Sequence, residues 1–337
     1  MTESWQKSKT LYLDGDYRVN WICDGTPRQI LFTFMNWTTN PQKDLRRFEP
    51  GSGYGTSTAR RYDVGIIEII PSANDWYQGF YPRCQDALIE FLHGHRLAHL
   101  RRLGYGSNMG GYGALAHAYD LSLERILAIS PQFEIDCEYD PRWAVSANTS
   151  LKKKIEQRAP DIMFQAALAY DPVNLDAEHA TRIVEHLSPY VPVRRLEVPF
   201  AGHPACKALE QAGILPRLVG ALIEDGLPQT NVEYNVDVSE VCLLNRVLHA
   251  LREEDFSKAL DLLARRDSIA PNLPSAKAYF HHLVFGRCLK KAGYPHAALK
   301  HFDAALARKP GDHAANVERH EVLARTHLAV AEEASTT

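Results

Sequence analysis

Up to about Leu227, short apolar runs alternate with longer mixed segments, the pattern of strands interleaved with helices. The runs predict strands at Tyr17–Cys23, Gln29–Phe34, Val64–Ile70, Leu100–Tyr105, Arg125–Ser130, Phe164–Tyr170 and Val193–Pro199. Several are apolar on both faces, and Ile66-Ile67-Glu68-Ile69-Ile70 is nearly so. That suits a doubly wound, mostly parallel sheet covered by helices on each side. The segments between them predict helices over Pro82–Arg96, Gly110–Tyr119, Ala177–Leu187 and Pro204–Ala212. From about Ser239 the pattern is helical only, as far as the polar tail Glu332–Thr337. The polar stretch Gly226–Asn235, with Gly and Pro, reads as a connection. The expected organisation is an α/β domain over 1–227, a linker over 228–238 and an all-α domain over 239–333.

The helical part echoes itself. Ala259, Leu263 and Pro271 stand at the same relative spacing as Ala298, Phe302 and Pro310, 39 residues on. The second copy adds Gly286 before Ala298 and Ala305 after Phe302. This pattern resembles the tetratricopeptide repeat, in which small residues let two antiparallel helices approach closely. The match is fuller over Lys277–Asp312 than over Leu243–Ala276, where Arg266 stands at a position expected to be small. The resemblance implies a helix over His313–Glu333 that caps the stack and a face that can grip a protein partner. A plain helical extension is the other reading.

Composition narrows the function classes. The chain has 337 residues, 45% hydrophobic, with a net charge of −3 from 38 basic and 41 acidic residues. Such a balance makes no field to steer nucleic acid or acidic lipid. The longest apolar runs, such as Ile30–Phe34 and Val64–Pro71, fall far short of the roughly 18 residues a membrane span needs. The N-terminal segment lacks a charged-then-apolar leader, and the six cysteines are scattered without a C-x-x-C pair. A reduced, cytoplasmic protein without nucleic-acid or membrane partners is expected, and no cofactor is implied. His93-Gly-His95 and His281-His282 have no companion carboxylate or cysteine at ligand spacing, so no metal site is expected.

The informative segment is Leu103-Gly104-Tyr105-Gly106-Ser107-Asn108-Met109-Gly110-Gly111-Tyr112-Gly113, between a predicted strand and a predicted helix. It lacks the glycine register of a dinucleotide loop and the Lys-Ser/Thr pair of a P-loop. It resembles the nucleophile elbow of the α/β-hydrolase fold, G-x-S-x-G. That bend needs small residues two before and two after its central position. Asn108 at the centre puts Gly106 and Gly110 at the crowded points, whereas Ser107 would put Tyr105 and Met109 there. The nucleophile position therefore holds asparagine, which is not a competent nucleophile, so a covalent acyl-enzyme cannot start from it.

The resemblance implies an acid and then a histidine further along the chain. Asp171, at the end of strand Phe164–Tyr170 and followed by Pro172, is the first choice for the acid, and Asp176 the runner-up. His203, in Phe200-Ala201-Gly202-His203-Pro204 after the last predicted strand, would be the general base, oriented by the acid. The oxyanion hole would use the amide of Met109 and backbone donors of the loop holding Asn36 and Trp37. Ligands of open sheets gather at the C-terminal ends of strands, so Asp75, Trp76, Tyr77, Gln132 and Phe133 should border the pocket. Trp76 and Tyr77 could equally seal a lid.

Three functions stay open. The first is an esterase or acyltransferase relative, in which Asn108 replaces a native Ser or Asp or in which His203 works without a covalent step. The second is a binding or scaffold protein that uses the hydrolase-like pocket and the repeat-like helices. The third is a deacetylase or acetyltransferase acting on polysaccharide or a small ester. The ligand is in each case a small ester or an acylated sugar.

Overall fold

A computed structural model describes residues 8–38, 57, 60–146, 151–156, 164–224, 226–228, 239–269 and 275–335. Two compact units divide the chain, Met1–Asn235 and Val236–Thr337. Most of the expected linker, and Pro271 of the internal echo, lie outside the described residues.

The first unit is built on eight strands: β1 (Ser8–Leu13), β2 (Tyr17–Ile22), β3 (Gln29–Phe34), β4 (Val64–Pro71), β5 (Arg101–Ser107), β6 (Arg125–Ile129), β7 (Gln165–Tyr170) and β8 (Val193–Glu197). Their order across the sheet is β1-β2-β4-β3-β5-β6-β7-β8. β2 pairs antiparallel with β1 and with β4, and every other pairing is parallel. The central strands are apolar on both faces because helices cover both faces: every residue of β4 and β6 is buried. The edge strands differ. β1 is mostly exposed and joins β2 through a turn in which Asp14 Oδ1 accepts the amides of Asp16 (2.7 Å) and Tyr17 (2.6 Å). This strand is absent from the sequence expectation, because an edge hairpin strand carries no long apolar run.

The helices of this unit are α1 (Phe80–Gly94), α2 (Met109–Ala116), α3 (Asp176–Leu187), α4 (Cys206–Gln211) and α5 (Leu215–Glu224), with a 3-10 turn at Pro141–Ser146. α2 is buried along its whole length, which explains its all-apolar sequence. β5 runs two residues beyond its expected end, since Gly106 pairs with Phe34 and Ser107 with Ile129. Asn108 then makes the turn into α2 with φ 54° and ψ −123°.

The glycines on either side of that turn are sterically required. A Cβ on Gly106 would lie 2.3 Å from the backbone of Gly110, and one on Gly110 would lie 2.3 Å from the carbonyl oxygen of Phe34. Both obstacles are backbone and cannot swing away. Gly110→Ala is therefore expected to lower unfolding free energy by about 3 kcal/mol or more, measured by urea titration. Gly94→Ala, where a Cβ meets nothing within 4 Å, should leave it within about 0.5 kcal/mol.

The second unit consists of α6 (Glu240–Arg252), α7 (Phe256–Ile269), α8 (Ser275–Lys291), α9 (Pro295–Arg308) and α10 (His313–Ser335). Ser239 caps α6 by accepting the amide of Cys242. The echo residues are its packing contacts: Ala259 and Leu263 are buried with Leu243 and Val247, and Ala298, Phe302 and Ala305 are buried with Leu283 and Val322. Gly286 lets α8 and α9 approach, because a Cβ there would sit 2.5 Å from the ring of Phe302. Among the described residues, no helix is long and apolar enough to cross a membrane.

Candidate active site

The turn at Asn108 and the loop that carries His203 are held by two consecutive residues at the end of β6. The amide of Asn108 donates to the carbonyl of Ile129 at 2.8 Å. The hydroxyl of Ser130 accepts the amide of Ala205 at 3.0 Å, two residues past His203. Parallel pairing of β5 and β6 thus puts both groups at one edge of the sheet, the edge formed by the strands' C-terminal ends.

His203 Nδ1 lies 2.8 and 2.9 Å from the two carboxylate oxygens of Asp176. With Nδ1–H donating there, Nε2 presents its lone pair outward. It is buried and has no hydrogen-bond partner, and the same holds for Asn108 Oδ1. An imidazole with a carboxylate on one nitrogen and no partner on the other is an arrangement that a general base can use.

Of the two acid candidates, Asp171 as first choice and Asp176 as second, it is Asp176 that meets His203. Asp171 spends its acceptors on the backbone. Oδ1 takes the amides of Val173 and Phe200, and Oδ2 takes the amide of Gly202 and the Asn174 side chain, at 2.8–3.2 Å. Burial raises its pKa, with the nearby Asp176 charge adding to the rise against the lowering effect of those amides. Asp171 braces the His203 loop, and Asp176, in the first turn of α3, supplies the carboxylate. Burial would raise the Asp176 pKa too, but the hydrogen bond from His203 and the charge of Arg142 outweigh it, and its carboxyl is held below the usual range.

Four residues unmarked in the sequence complete this network. Arg142 reaches Asp176 at 2.9 Å and forks onto Asp140 through Nε and a terminal nitrogen. Asp140 also accepts the indole N–H of Trp143 at 3.1 Å and His179 Nε2–H at 3.0 Å. His179 is fixed in that tautomer because its Nδ1 accepts the amide of Phe133. Burial pulls the His179 pKa down. The Asp140 carboxyl, raised by burial, is lowered further by Arg142 and His179, from an ordinary 3.8 to about 2. A depressed acid stabilises the fold above its ordinary value and loses that contribution as pH falls towards 2. Urea titrations should therefore show a shallower loss of stability between about pH 4 and pH 2 for Asp140→Asn than for the unmodified chain.

The other expected site residues divide. Met109 heads α2 and is fully buried. Asn36 and Trp37 are half-buried in the loop after β3, whose start lies against Gly110. Trp37 meets Trp143 at 6.2 Å between ring centroids, and Trp143 meets His203 at 5.3 Å. Trp76 is fully buried but belongs to this cluster, 5.3 Å from Trp143. Gln132 is buried, with its Nε2 on the carbonyl of Ser130 and its Oε1 without a partner.

Three residues expected to border the pocket make other contacts. Asp75 accepts from the Tyr17 hydroxyl and the Tyr77 amide, facing the core. The Tyr77 ring covers Gly113 and its hydroxyl donates to the carbonyl of Met35 at 2.6 Å, so it props the loop from behind. Phe133 turns its ring to His186, at 5.3 Å. The positive φ values at Trp76 (57°) and Tyr77 (59°) swing the segment inward, which its position after β4 does not reveal. A cleft of about 690 Å³ that includes Arg28, Gln29, Val64 and Arg101 in its lining lies at the opposite edge, where β3, β4 and β5 begin.

The eight-stranded, mostly parallel sheet with flanking helices makes this unit a doubly wound α/β protein. The sequence matches no protein-family model and no curated protein. Among solved structures it is similar to a putative esterase from Staphylococcus aureus, at 10% identity over 65% of this chain and 83% of that one (TM-score 0.45). It is also similar to Est1E from Butyrivibrio proteoclasticus, at 12% identity over 66% and 99% (TM-score 0.43). A third likeness is to the capsule O-acetyltransferase of Neisseria meningitidis serogroup A, at 11% identity over 63% and 93% (TM-score 0.41).

Proposed function

We propose that Asn108 stands where a hydrolase of this fold carries its nucleophile, and that the site acts on an acyl ester without forming an acyl-enzyme. His203 Nε2 takes a proton from water, and the resulting hydroxide attacks the acyl carbonyl. Asp176 holds the imidazolium, which then gives its proton to the departing alkoxide, leaving acid and alcohol. The amide of Met109 and the backbone of the Asn36–Trp37 loop are the donors available to the developing oxyanion. The observation that carries this reading is the buried, unpartnered His203 Nε2 backed by Asp176. A positioned base supplies roughly 10²–10⁴-fold, so activity on unactivated esters would be slow.

A second reading, ligand binding without turnover, is favoured by Arg142. Its guanidinium shares the Asp176 carboxylate with His203, so that carboxylate is not reserved for an imidazolium. The repeat-like pattern of the helical unit suits a protein partner.

Hydrolysis of p-nitrophenyl acetate by the unmodified chain and by His203→Ala tests both readings. Slow turnover abolished in His203→Ala supports the first. No turnover in either, with acyl-ester binding weakened in His203→Ala, supports the second. Turnover that survives His203→Ala overturns both.

A further inference from the structure

The cleft of about 690 Å³ at the edge where β3, β4 and β5 begin is separate from the His203 site. Strand register builds it. Gln29 pairs with Val64 on one side and with Arg101 on the other, so the first residues of three parallel strands stand in one row. One residue earlier, the amide of Arg28 donates to the carbonyl of Asp63 at 3.1 Å. The end of α5 forms another wall. Ile223 and Glu224 line the cleft, and a Cβ on Gly220 would lie 2.2 Å from the Tyr62 hydroxyl.

Most of the charges here are uncommitted. The guanidiniums of Arg28, Arg61 and Arg101 line the cleft together with the carboxylates of Asp63 and Glu224. Arg101 pairs with Glu124 at 3.3 Å. The side chains of Arg28, Arg61, Asp63 and Glu224 make no ion pair or hydrogen bond with any described residue. A helix end ordinarily turns carbonyls, and so negative charge, towards such a space. Here Gln29 Nε2 donates to the carbonyl of Ile223 at 2.7 Å and Arg125 Nη1 to that of Leu222 at 3.0 Å, so those acceptors are already taken.

A guanidinium is a forked donor that matches phosphate oxygens, and two unpaired ones suit a dianion better than a single carboxylate. A ligand anionic throughout would be repelled by Asp63 and Glu224. A phosphate with hydroxyl donors on the rest of the molecule satisfies both sets of groups. The volume lies within the roughly 300–1,000 Å³ of small-molecule sites.

We infer that this cleft is a second ligand site, for a small phosphate monoester whose remainder carries hydroxyl groups. Arg28 and Arg61 take the phosphate, and Asp63 and Glu224 accept from the hydroxyls. Its ligand is independent of the acyl-ester chemistry at His203.

The probe is ribose 5-phosphate, with ribose, ribonate and inorganic phosphate as comparisons, and binding to the full chain is read by calorimetry. Ribose 5-phosphate should bind with a Kd of about 1 mM or below, at least about 10-fold more tightly than each comparison. Arg28 and Arg61 are exposed, so Arg28→Gln and Arg61→Gln should fold normally, and each should weaken binding by about 10-fold or more. Arg182→Gln, which removes the same charge from α3, should change it by less than about 2-fold. His203→Ala should bind the probe as the unmodified chain does. Absence of binding, or ribonate or inorganic phosphate binding as tightly as the probe, overturns the assignment. So does an equal loss in Arg182→Gln, which would mean diffuse charge attraction, or a loss in His203→Ala, which would put the probe at the other edge of the sheet.

Discussion

Asn108→Ser should raise kcat/KM for p-nitrophenyl acetate by about 10²–10⁴-fold over the unmodified chain, with an initial burst of nitrophenolate. On the proposed reading, the groups other than the nucleophile are already in place. His203 Nε2 is unpartnered and buried, its Nδ1 is tied to Asp176, and the amide of Met109 heads a fully buried helix. Serine is smaller than asparagine and fits the space between Gly106 and Gly110, so the turn is kept. The backbone at φ 54° and ψ −123° is strained for any side chain, and the exchange should lower stability by no more than about 1 kcal/mol. Burst amplitude against enzyme concentration is the decisive reading, because only a covalent step gives one acetyl group per site. Adding His203→Ala should remove both burst and turnover. A double variant that keeps them would mean that the imidazole does not serve position 108.

The second large effect separates the two aspartates. In the Asn108→Ser background, Asp176→Asn should lower kcat by about 10²–10⁴-fold, since the imidazolium loses its counter-charge and the amide can turn its NH2 to Nδ1 and fix the wrong tautomer. Asp171→Asn should change kcat by less than about 10-fold. It should instead lower the melting temperature, because the amides of Val173, Phe200 and Gly202 depend on its two oxygens. Reading kcat and thermal unfolding on the same preparations distinguishes a group that holds the base from one that holds its loop. The opposite result, kcat lost in Asp171→Asn at unchanged stability, would return the acid role to Asp171.

The two aspartates also mark how far the chain could be read unaided. Both lie on the short stretch after β7, and each has a local explanation, a turn for one and a helix start for the other. Which of them meets a histidine 27 or more residues away depends on how α3 packs, and no local pattern encodes that. Asp140, Arg142, Trp143 and His179 were illegible for the same reason. They come from a 3-10 turn, the residue just before it and the buried face of a helix, and only their meeting makes them a network. Trp76 and Tyr77 were correctly placed after a strand, but their inward turn was not visible.

The turn at Asn108, by contrast, was legible to the residue. Gly106 and Gly110 are demanded by contacts with backbone at 2.3 Å, and such contacts tolerate no side chain, so the spacing alone selects the register. The doubly apolar strands, the all-apolar helix after the turn and the change to helical pattern near Ser239 are likewise one-dimensional consequences of burial and periodicity. The linear chain thus determined the alternation of elements, the register of the bend and the asparagine at its centre. Tertiary structure alone decided which carboxylate stands behind His203, that Arg142 shares it, and which rings border the site. The reason is physical: sterics and hydrophobic period act between near neighbours, whereas an ion pair or a ring contact is selected only when distant segments are packed together.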